Sequence, residues 1–82
     1  MQEFLQFVVT RLVDRPDAVS LTPVEGGKQT VYELRLHPTD MGKIIGRQGA
    51  TISAIRTLLQ AGSAKKGLRC ALEVVEEKPP RD

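Results

Sequence analysis

The chain has 82 residues, 40% of them hydrophobic and 27% charged, with a formal net charge of +2. That length supports one small domain with a modest core. The near-balanced charge excludes a polyanion binder that works by bulk charge alone, and the ordinary apolar content excludes an intrinsically disordered chain.

Phe4, Leu5, Val8, Val9, Leu12 and Val13 recur with helical spacing, which predicts an amphipathic helix over residues 2–14. Glu3 and Asp14 on its polar face argue against a membrane-surface helix. Arg15-Pro16-Asp17 ends it, because a proline disfavours helix at the residue before it. Residues 18–25 alternate, with Val19 and Leu21 on one side and Ser20 and Thr22 on the other. Pro23 makes this an edge or bulged strand, and Gly26-Gly27 signals a hairpin. Residues 30–36 form the clearer strand, with Tyr32, Leu34 and Leu36 facing one way. Pro38 ends it, and His37 reads as an exposed strand-end residue.

Thr39 or Asp40 can cap a short helix over residues 41–45. Gly46-Arg47-Gln48-Gly49 then makes a turn into a third helix that begins near Ala50. The buried side of that helix is expected to hold Ile52, Ile55, Leu58 and Leu59, and Gly62 or Gly67 stops it. Residues 68–75 alternate again as a third strand, with Cys70 as a small core residue between Leu68 and Leu72. The domain is expected to occupy residues 1–76, with a flexible tail at 77–82. The element order gives an α+β layer with helices on one face of a small sheet.

The turn carries the chemistry. Two glycines three apart let the backbone approach a sugar–phosphate chain without a Cβ in the way, and they present N–H groups at a helix start. Arg47 and Gln48 supply hydrogen bonds and one charge to phosphates, and Lys43 lies one turn earlier. Ile44 or Ile45, with Ile52, can line a narrow apolar groove for bases. Between Met41 and Leu72 the charged residues are Lys43, Arg47, Arg56, Lys65, Lys66 and Arg69, and none is acidic; all ten carboxylates lie outside that span. The candidate binding set is therefore Lys43, Ile45, Gly46, Arg47, Gln48, Gly49, Ile52 and Arg56. No aromatic lies near the turn, so base stacking on a sheet surface is not expected.

A lone Cys70 and a lone His37 offer no metal set, and no nucleophile–base pair is visible, so neither an enzyme nor a cofactor is expected. The N-terminus lacks a basic, apolar leader and no run approaches a membrane span, which predicts a cytoplasmic protein.

These residues resemble the KH family. The element order with Ile45-Gly46-Arg47-Gln48-Gly49 looks like a type II KH domain (α-β-β-α-α-β), in which two helices flank the glycine loop and pack on a three-stranded mixed sheet. The run from Asp40 to Gly49, followed by Ile52-Ser53-Ala54-Ile55-Arg56, is similar to the KhpA family of small stand-alone bacterial KH proteins. The resemblance implies single-stranded RNA binding, an RNA-chaperone or post-transcriptional role, and a link to cell-length and cell-wall control. It also implies a homodimer, and a heterodimer with a larger KH-domain protein, KhpB. The third helix, through Ile52, is the first expectation for the dimer surface and the N-terminal helix the second. The rival reading is a KH-fold protein–protein module with little RNA binding; an acidic residue in the turn would favour it, and the turn holds Arg47 and Gln48.

Overall fold

The computed structural model describes residues 1–75; the expected tail at 77–82 and Glu76 before it lie outside the described residues. Helix α1 spans Gln2–Leu12 and buries Leu5 and Val9. It ends two residues before the expected helix does. Val13 is already extended (φ −102°, ψ 158°), and the N–H groups of Asp14 and Arg15 donate to the Asp40 carboxylate at 3.1 Å each. Donors taken by a distant carboxylate cannot continue the helical ladder. A 3₁₀ turn at Pro16–Ala18 follows and moves the start of the first strand from residue 18 to 20.

Strands β1 (Ser20–Gly26) and β2 (Gln29–Arg35) form an antiparallel hairpin, and β3 (Cys70–Val74) pairs parallel to β2, in the order β1-β2-β3. Pro23 does sit on an edge strand. Leu21, Tyr32, Leu34, Cys70 and Leu72 share the buried face, as the two-residue period requires. Leu68 falls outside β3 and is 51% exposed.

Helix α2 (Met41–Ile45) is one turn and buries Ile44; α3 (Ala50–Lys65) buries Ile52, Ile55, Leu59 and Ser63. Leu58, expected in that set, is 57% exposed. At 3.6 residues per turn it lies about 60° beyond Ile55, outside the buried arc. The helix passes Gly62 and stops at the later glycine. Gly67 adopts φ +70°, its N–H meets the Ala64 carbonyl at 3.0 Å, and the Leu68 N–H meets the Ser63 carbonyl at 2.9 Å. That pair of bonds closes a helix through a left-handed glycine. The result is an α+β fold: three helices on one face of a three-stranded mixed sheet. No helix among the described residues is long and apolar enough to cross a membrane.

Candidate nucleic-acid interface

The two loop glycines have different jobs. Gly46 takes φ 75° and ψ 178°, a region that only glycine occupies readily. A Cβ there would lie 2.7 Å from the Thr51 Cβ and 2.9 Å from the Thr51 backbone N, so Gly46 lets the loop press against the first turn of α3. Gly49 is left-handed (φ 76°, ψ 12°), and a Cβ on it would meet nothing within 4 Å. It leaves an open surface.

Between them, Arg47–Gly49 makes a single 3₁₀ turn, closed by the Gly49 N–H on the Gly46 carbonyl (3.3 Å) and the Ala50 N–H on the Arg47 carbonyl. Gln48 is held at φ 56°, the one non-glycine with positive φ among the described residues. The N–H groups of Arg47 and Gln48 meet no backbone carbonyl among those residues. Both side chains are exposed, and the Arg47 guanidinium has no ion-pair partner there. Two free N–H groups, an unpaired guanidinium and the positive end of a sixteen-residue helix thus converge on one exposed turn.

The other candidate residues are placed less uniformly. Ile44 is fully buried and Ile52 is 6% exposed, so both are core residues; Ile45 is half-buried, packs against the core, and is the most exposed of the three. Burial also removes Ile52 from any dimer surface. Arg56 sends its Nε to the Leu72 carbonyl at 3.1 Å and covers the outer edge of β3. Lys43 is not a free cation. Its Nζ bonds the Asp14 carboxylate and lies 3.8 Å from Asp40. The Asp14 hydrogen bond outweighs partial desolvation and, with the nearby charges of Asp14 and Asp40, pushes the Lys43 ammonium above the usual lysine range.

Asp40 is the residue that sequence reasoning placed in the wrong role. It stands at the start of α2 yet makes no capping bond. It is 1% exposed and accepts the N–H groups of Asp14 and Arg15, tying the end of α1 to the helix that enters the loop. Desolvation alone would raise its carboxyl; those two N–H bonds, Lys43 and His37 win and hold it below the usual range. An aspartate before a short helix signals a cap in sequence, and nothing in the sequence identifies a tertiary donor. His37 is likewise more than an exposed strand end, since its Nδ1 accepts the Thr39 N–H at 3.2 Å and steadies the turn before α2.

The KhpA/KhpB KH domain matches residues 2–74. The chain belongs to that family. The RNA-binding protein KhpA of Chlamydia pneumoniae is 46% identical over 78 residues, which is 95% of this chain and 100% of that protein. The RNA-binding protein KhpA of Borreliella burgdorferi is 49% identical over 74 residues, 90% of each chain. The protein of the same name from Aquifex aeolicus is 41% identical over 76 residues, covering 93% of this chain and 96% of its own. In this KhpA/KhpB domain the matched region takes in every described element, from α1 to β3.

Proposed function

We propose that this domain binds single-stranded RNA, clamping about four nucleotides of backbone at the Gly46–Gly49 loop. The observation that carries the reading is the pair of N–H groups on Arg47 and Gln48 beside the Arg47 guanidinium, all without a partner among the described residues. Arg47 and Gln48 face the phosphates, Gly46 and Gly49 shape the approach, and Ile45 supplies the apolar contact to a base. Ile52 supports the groove from within the core, and Lys43 and Arg56 frame it. The relatives named as RNA-binding KhpA proteins support the same reading. With no aromatic platform at the loop, binding by one domain is weak and tolerant of sequence.

The finer role is an RNA chaperone or post-transcriptional regulator working as a homodimer or with a KhpB-like partner. The KhpB-like partner rests on the resemblance, and the exposed Leu58 on α3 offers an apolar contact for either pairing. The link to cell length and cell wall rests on the resemblance alone. Replacing Arg47 and Gln48 together with Asp tests the site. Both side chains are exposed, so the fold should survive by circular dichroism while RNA affinity is lost; unchanged affinity removes the loop from the mechanism.

A further inference from the structure

We propose that the basic cluster at the far end of α3 is a second contact for the phosphates of single-stranded RNA. It comprises Lys65, Lys66 and Arg69, joined by Lys28 from the hairpin turn; all four are exposed and none forms an ion pair among the described residues. Lys43, which lies close to the loop in sequence, is by contrast already paired. Lys28 and Arg69 line the same hollow of about 390 Å³, where Glu25 is the one carboxylate. Leu68 lines that hollow too and offers an apolar contact for a base.

Stabilising the helix end does not account for the cluster. Lysines in a last turn do complement the helix dipole. But Lys28 and Arg69 lie outside α3, and the Ser63 and Ala64 carbonyls are already met by backbone N–H groups. An acidic protein is the other occupant such charges could take. RNA is favoured because no carboxylate interrupts the sequence from Met41 to Leu72, so loop and cluster bound one stretch of single sign. The sixteen residues of α3 span about 24 Å at 1.5 Å per residue. That is about seven nucleotides at a stacked spacing of about 3.4 Å. A strand of about a dozen nucleotides therefore reaches both places, and one of five reaches only the loop.

The inference rests on the loop reading, so its test carries a separate arm for each. Oligouridylates of about 5 and about 16 nucleotides are titrated by fluorescence anisotropy across about 50 to 200 mM salt, a range in which charges 24 Å from the loop are screened. The subjects are the full chain, the variant Lys28→Gln/Lys65→Gln/Lys66→Gln/Arg69→Gln, and the loop variant Arg47→Asp/Gln48→Asp. At about 0.7 in slope per contacted phosphate, two to four contacts make the wild type lose roughly seven- to fifty-fold more affinity for the longer RNA than the glutamine variant does. The shorter RNA should bind both alike. Should the fourfold variant fail to fold, Lys65→Gln/Lys66→Gln alone is read in the same way. Equal salt dependence of wild type and glutamine variant on the longer RNA overturns the cluster and leaves it to an acidic protein. Loss confined to the glutamine variant, with the loop variant binding like wild type, upholds the cluster and overturns the loop instead.

Discussion

Alanine at Gly46 and alanine at Gly49 should have opposite consequences, although the two glycines look alike in sequence. At Gly46 the new methyl must sit in a glycine-only region, which costs about 1–3 kcal/mol. It also meets the Thr51 Cβ at 2.7 Å and the Thr51 N at 2.9 Å. The Thr51 hydroxyl can rotate away, but its backbone N belongs to the first turn of α3 and cannot. Overpacking of this kind adds about 1–3 kcal/mol. The sum, roughly 2–6 kcal/mol, competes with a total stability of about 4–12 kcal/mol for a chain this size. Gly49→Ala meets no atom within 4 Å and carries only the left-handed penalty of about 1–2 kcal/mol, partly offset by a stiffer unfolded chain.

Urea denaturation at equal protein concentration separates the two. Gly46→Ala should lower the midpoint strongly with an unchanged slope, and should melt at least about 10 °C below wild type. Gly49→Ala should remain folded and lose RNA affinity, because its methyl stands on the surface that a backbone must approach. Equal destabilisation by both substitutions would refute the division of labour between the glycines, and full RNA affinity in Gly49→Ala would refute the open approach.

Two further outcomes follow from the same geometry. Asp40 has its carboxyl depressed, so the stability it contributes is complete above about pH 4 and drains away as pH falls through its lowered folded value. Asp40→Asn should therefore melt below wild type at neutral pH, with the gap closing in thermal melts taken down toward about pH 2. For assembly, Leu58→Gln should give a folded monomer by sedimentation if α3 carries the dimer surface; a dimer that persists moves the surface to α1, where Phe7 and Leu12 are exposed. Ile52→Gln is not a usable test, since it places an amide in the core.

The sequence reveals whatever is local. Periodicity places α1, β2 and α3, the proline places β1 at an edge, and the glycine pair places the turn. What it hides depends on groups far apart in the chain. The end of α1 is set by Asp40, 26 residues beyond Asp14, and the pairing of Lys43 spans 29 residues. Leu58 shows the limit of periodicity itself: a leucine beside a buried leucine reads as core until the helix is fixed against one sheet. Arg56 shows the same limit for charge, because sequence cannot reveal that a basic residue is engaged with a strand edge.

The loop is held in its turn conformation from both sides. Gln48 at φ 56° is a strained conformation that an isolated turn would leave. Both ends of the turn are fixed. On one side Asp40 ties α2 to the end of α1, and Ile44 buries the middle of that short helix. On the other, Gly46 lies against Thr51, and Ile52 anchors the first turn of α3 in the core. With the N–H groups of Arg47 and Gln48 already free of backbone partners among the described residues, a strand bound as proposed would not meet the entropy of ordering them. On the proposed reading, residues away from the RNA contact also support affinity by holding the loop, and Asp40 is the clearest of them. Its carboxylate would only repel a phosphate, yet the two hydrogen bonds it accepts tie the helix that leads into the loop to the end of α1.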